Sequence, residues 1–241
     1  MLFSDAFENY RNNSNKVQRW VSFLSKAAGD CDKKVLLDCG CGVGRFTIPL
    51  STLFMKTYGV DYDASMLDIA CKKNSNVYWI NSDVSNIPLE NYSVDVILAS
   101  MLIEHLDSLD LFLNEAHRLL KEKGILLLRT MLWDDIDRTT WYSFSKKVCS
   151  MEKKRTYDKE QLLKTFETFQ FSFSQHDSFL HITERIPNSD LVDRLGAKSY
   201  EILHHISDKD FMDMIQKAMR WKAESDGEEI MSSSLLTFFR E

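Results

Sequence analysis

The sequence predicts an α/β fold built on a mostly parallel sheet, and three observations carry that prediction. Short apolar runs alternate with helix-spaced segments from Lys34 to Leu128. The first of these runs opens into a glycine-rich loop, and Asp38 and Asp61 close the first two runs. Strands separated by helices pair in parallel through right-handed crossovers.

The elements follow in order. Asn15 to Ala28 carries Val17, Trp20, Val21 and Leu24 at helical spacing, and Lys34 to Leu37 is the first strand. Arg45 to Leu53 then reads as a helix, Lys56 to Val60 as a strand, Ser65 to Lys73 as a helix, and Val77 to Ile80 and Val94 to Ala99 as strands. Leu109 to Lys121 presents Leu111, Phe112, Ala116, Leu119 and Leu120 as one apolar face, with Lys123-Gly124 as a glycine C-cap before the strand Ile125 to Leu128. Beyond Arg129 the alternation gives way to the aromatic-rich stretch Met131 to Tyr157, read as a cap over the open end of the sheet. A helix at Lys159 to Phe166 follows, and alternation of Phe169, Phe171 and Phe173, and of Leu235, Thr237 and Phe239, suits two closing strands. Pro187 to Asp226 reads as helical, with Phe211, Met214, Ile215 and Ala218 on one stripe.

The 241 residues are 44% hydrophobic and 27% charged, enough for one α/β domain with a sizeable core. We expect a single domain over 1–241, with a core at about 30–130, 158–182 and 229–241 and cap segments at about 1–28, 131–157 and 183–228. A net charge of -6 gives no basic footprint, which sets nucleic acid aside as a partner. An acid interrupts Met1 to Glu8 before any apolar run develops, and no run reaches membrane-spanning length. A soluble, cytoplasmic protein with no membrane partner is therefore expected. The five cysteines form no paired C-x-x-C knuckles, so reduced thiols and no metal are expected.

Chemistry concentrates in Asp38-Cys39-Gly40-Cys41-Gly42-Val43-Gly44. Glycines after a strand let backbone approach a ligand closely. The dinucleotide fingerprint needs a third glycine where Arg45 stands, whereas Gly44 makes the pattern G-x-G-x-G. That difference favours S-adenosylmethionine over a nicotinamide dinucleotide. Asp61 ends the second strand about twenty residues beyond the loop, where a carboxylate can accept from both ribose hydroxyls.

Five ordered blocks extend the pattern: Leu36 to Arg45, Gly59 to Leu67, Ser82 to Leu89, Ser93 to Ser100 and Glu115 to Gly124. On these residues, from about Val35 to Thr130, the sequence resembles the class I S-adenosylmethionine-dependent methyltransferases, and within them the type 11 branch that includes ubiquinone and menaquinone biosynthesis enzymes. The resemblance implies a Rossmann-like seven-stranded sheet, mostly parallel with helices on both faces, its last strand antiparallel, with helical cap insertions. It also implies S-adenosyl-L-methionine as cofactor across the first two strand ends, and a small-molecule acceptor. By the same resemblance Tyr62 and Met66 would pack on the adenine faces, and Asp83 with the Val84 amide would read the adenine edge. Asp38, Gly40, Cys41, Gly42 and Gly44 with Ala99 and Ser100 would line the loop and the methionine part.

Methyl transfer needs alignment, plus a base where an acid acceptor must lose a proton. His105, following the fourth strand, is the candidate catalytic base. Tyr10 and Arg11 are candidates to fold over the cofactor, Arg45 to meet the methionine carboxylate, and Trp133, Trp141, Tyr142, Trp221, His204 and His205 to border the acceptor pocket. Ala99-Ser100-Met101-Leu102 stands where adenine and glutamine amide methylases carry Asn/Asp-Pro-Pro-Tyr/Phe, which argues against those acceptors. The rivals at this point are a protein of the same fold that binds the donor without methylating, and a nicotinamide-dependent oxidoreductase. Neither acceptor identity nor oligomeric state is written in the sequence.

Overall fold

The structure, a computed structural model, describes residues 14–73, 76–173, 179–186, 190–225 and 228–241. The chain forms two compact units. One, the sheet unit, comprises Ser14–Thr130, Glu160–Leu180 and Leu235–Glu241; the other includes Met131–Lys159 and His181–Ser234.

In chain order the elements are α1 (Ser14–Ala28), β1 (Val35–Cys39), α2 (Thr47–Leu50), β2 (Lys56–Asp61), α3 (Ala64–Lys73), β3 (Tyr78–Asn81), β4 (Val94–Ser100), α4 (Leu109–Leu119) and β5 (Leu120–Thr130). There follow α5 (Trp133–Arg138), α6 (Lys146–Arg155), α7 (Lys159–Thr168), β6 (Phe171–Phe173), β7 (Phe179–Ile186), α8 (Leu191–Gly196), α9 (Asp208–Glu224) and β8 (Glu229–Arg240). Among the described residues the sheet has the order β3-β2-β1-β4-β5-β8-β6, with β7 pairing β8. The first five strands are parallel neighbours, and β6 pairs antiparallel with β8, Phe171 opposite Arg240.

The core of the sheet unit follows from this order. β1 is buried along its whole length, and Val96, Ile97, Leu98, Leu126, Leu127 and Leu128 are inaccessible beside it. Strands covered on both faces read as unbroken apolar runs, which is why they were legible. α1, expected among the cap segments, belongs instead to the sheet unit, because its Trp20, Val21, Leu24 and Ala28 form a continuous buried stripe.

Three further expectations change. The helix expected over Arg45 to Leu53 shortens to the single turn α2, since the Ser51 and Thr52 hydroxyls bond back to the Ile48 and Pro49 carbonyls and compete with helix continuation. Gly124 is not a helix cap: α4 stops at Leu119, and buried Leu120 is already extended and paired with Val94. Lys123 takes the left-handed turn, φ 60°, while Gly124 serves close approach, as a Cβ there would lie 2.8 Å from the Lys121 carbonyl. Among the described residues the sheet has eight strands where seven are expected, the added one being β7.

The second unit has its own apolar core of Ile136, Trp141, Tyr142, Phe144, Val148, Leu191, Leu195, Leu203, Met214 and Ala218. The cap aromatics are therefore mostly packing groups: Trp141 stacks on Tyr142 and Tyr200 at 3.8 and 4.5 Å, and the Trp133 indole donates to the Lys153 carbonyl at 2.8 Å. Asp135 lies fully buried and accepts from the Leu132 amide and from the Ser232 and Ser234 hydroxyls, at 2.9, 2.7 and 2.7 Å, with His181 Nδ1 at 3.0 Å. Arg194, inaccessible to solvent, binds Asp190 at 2.7 Å and also contacts Glu229 and Tyr200. A buried charge persists only with partners of this kind.

Candidate functional site

The site is assembled at the carboxyl edge of β1, β2 and β4, where loops leave the parallel strands. After Cys39 the chain turns through Gly40, Gly42 and Gly44, whose φ values are 69°, 52° and 77°. Non-glycine residues rarely hold such angles. The Gly40 and Cys41 amides both donate to the Val60 carbonyl, at 2.8 and 3.0 Å, so the loop is tied to β2 from its first residue.

Asp61 completes the tie. Its Oδ2 accepts from the Gly42 amide at 2.7 Å and its Oδ1 from the Asp63 amide at 3.0 Å. Each carboxylate oxygen carries two lone pairs, so acceptor capacity remains for a diol. A Cβ at Gly42 would meet nothing within 4 Å, which leaves open space against the loop backbone beside this carboxylate. Those features fit an adenosyl ligand. At Gly44 the packing is tight instead, because a Cβ would lie 2.8 Å from the Trp79 ring.

Asp38 is 3% exposed and receives the Thr47 hydroxyl at 2.5 Å. Burial pushes its carboxyl up to about 7; the Thr47 bond opposes the shift and the nearby Asp61 charge adds to it. The sign follows directly: stability from the protonated folded form is complete below the unfolded value near 3.8 and is lost as pH rises through 7. Asp38→Asn should therefore melt at a higher temperature than the parent, by a margin that grows from pH 4 to 7 and then levels. A margin independent of pH would refute the assignment.

The remaining sequence-predicted residues are distributed as follows. Tyr62 is 81% exposed in the β2–α3 connection, and Met66 is half-buried in the first turn of α3. Asp83 is exposed and accepts from the Ser85 amide and hydroxyl at 2.7 and 2.6 Å, bonds that hold its carboxyl below the ordinary range. Val84 and Ala99 are buried, and Ser100 ends β4. His105 is exposed on the turn Ile103–His105, its amide donating to the Leu102 carbonyl at 2.9 Å. Burial pushes the Cys39 and Cys41 thiols up, which leaves them unreactive, and the Cys41 sulfur faces Gly59. His204 and His205 are exposed in the second unit. Tyr10 and Arg11 lie outside the described residues.

Sequence reasoning missed three contributors. Asn81 donates to the Asp61 and Tyr62 carbonyls at 3.0 and 2.9 Å and so fixes the β2 exit. Its signal was a lone amide ending an apolar run. Thr47 holds Asp38 nine residues away, and Arg129 reaches Ser100 at 3.2 Å. Among the described residues no group of three or more His, Cys, Asp or Glu side chains is disposed to hold a metal ion, and no helix is long and apolar enough to cross a membrane.

Acid-tipped parallel strands around a glycine turn define the class, an α/β domain whose carboxyl edge has the form that suits an adenosyl ligand. Residues 37–128 match the family model described as a methyltransferase domain. The chain is 29% identical over 130 residues to a malonyl-[acyl-carrier protein] O-methyltransferase of Hamiltonella defensa, covering 54% of this chain and 50% of that protein. It is 25% identical over 150 residues to a ubiquinone biosynthesis O-methyltransferase of Bartonella tribocorum, covering 58% of each. The chain thus spans about half the length of these curated relatives. The fold is shared with the YcgJ protein of Bacillus subtilis, with a TM-score of 0.64 at 16% identity over 93% of this chain and 99% of that one.

Proposed function

We propose that the chain transfers a methyl group from S-adenosylmethionine to a small-molecule acceptor. The observation that carries this reading is the Gly42–Asp61 hydrogen bond, which holds an open glycine turn against the carboxylate suited to a ribose diol. The donor, when bound, supplies a methyl carbon on a sulfonium, open to in-line displacement. Asp61 accepts from the ribose hydroxyls, and Asp83, Val84, Tyr62 and Met66 border the adenine. Asp38 presents its carboxylate toward the amino-acid end, with Gly40, Ala99 and Ser100 beside it. His105 is the residue we assign to take a proton from the acceptor.

The names of the relatives support acceptors that are small or carried on an acyl-carrier protein, with transfer to oxygen. Incubating the protein with methyl-labelled donor, a metabolite extract and malonyl-coenzyme A should move label to an acceptor. Donor binding without transfer to any of them would overturn the reading in favour of a non-methylating protein of the same fold.

A further inference from the structure

Arg129 stands at the carboxyl end of β5, in register with Ser100 of β4. Ladder partners in parallel strands share a face, and Cys39, Ala99 and Leu128 stand at one level, as do Ser100 and Arg129 at the next. Side chains alternate, so Asp38, two residues below the Gly40 level, points to the same face as Ser100 and Arg129. That edge therefore offers a carboxylate and a guanidinium on one side of the sheet.

The guanidinium is fixed in place. Its carbon lies 4.3 Å from the Trp20 ring centre and 5.7 Å from that of Phe46, and Nη1 reaches the Ser100 hydroxyl at 3.2 Å. Phe46, two residues past Gly44, has a second guanidinium 4.9 Å away, that of Arg45. Two cations thus gather at one ring beside the turn. A stacked guanidinium uses its face against the ring while its N–H donors lie in the plane, a fork matched to a carboxylate.

We propose that Arg129 binds the methionine carboxylate of the donor, with Asp38 facing the ammonium on the same carbon. This rests on the donor reading above, and it gives each charge of an amino-acid zwitterion an opposite partner. Arg129 is then a positioning residue, setting the donor's sulfur by anchoring its far end.

Calorimetry with two ligands tests the assignment. S-adenosylhomocysteine carries the amino-acid end, whereas 5′-methylthioadenosine has the same adenosine thioether without it. Arg129→Gln should weaken S-adenosylhomocysteine binding tenfold to a hundredfold, on the order of one charge-assisted bond, and leave 5′-methylthioadenosine unchanged. Arg129→Lys, which keeps the charge and stem and guards against misfolding, should show a smaller loss for the first ligand only. Equal losses for both ligands, or none for either, would overturn the role. A parent protein that binds neither ligand would overturn the donor reading itself.

Discussion

Asp61→Ala should lower affinity for S-adenosylhomocysteine by at least about a hundredfold in calorimetry, since two charge-assisted hydrogen bonds of roughly 1.5–3 kcal/mol each disappear. The loss has a second source. The same carboxylate holds the Gly42 amide at 2.7 Å and the Asp63 amide at 3.0 Å, so the glycine turn loses its anchor together with the ribose acceptor. Asp61→Asn retains one acceptor oxygen and should fall between the parent and the alanine variant. Circular dichroism should report an intact sheet in both, because Asp61 is only the last rung of the β2–β3 ladder, opposite Asn81, and its side chain takes no part in that pairing. Unchanged affinity in the alanine variant would remove the basis for the donor site.

Arg194→Met should cost about 3–5 kcal/mol in urea unfolding, because it strands a carboxylate that is entirely inaccessible. Glu229 has 0% side-chain exposure, and the Arg194 guanidinium is its charge partner as well as a neighbour of Tyr200 and Asp190. Adding Glu229→Leu to Arg194→Met removes the stranded charge, so the double variant should recover most of the stability. Failure of the second substitution to restore it would show that packing volume, not charge pairing, dominates there.

The part of the fold legible in sequence is the part governed by local pattern. β4 reads as a strand because Val96, Ile97, Leu98 and Ala99 form one apolar run, as burial on both faces demands. Asp61 was legible because its distance from the glycine turn is set by one helix and one strand. β7 was not, since Phe179-Leu180-His181-Ile182-Thr183-Glu184-Arg185-Ile186 keeps no clean alternation. Nor was the first half of β8, where Ser232, Ser233 and Ser234 are buried polar residues, two of them bonded to an aspartate nearly a hundred positions earlier. Arg129 illustrates the same limit at the site. Nothing near it in sequence marks it, and its relation to Ser100 exists only once β4 and β5 are in register.

The insertion of β8 between β5 and β6 bears on how this molecule acquires its shape. Both neighbours precede β8 by long stretches of chain, so one end of the sheet closes through contacts distant in sequence, which are slow to form. Until they do, β5 and β6 each present an open backbone edge, and an open edge recruits whatever strand arrives first, including one from another molecule. Refolding should accordingly be a race between insertion and intermolecular pairing, with yields that fall as protein concentration rises.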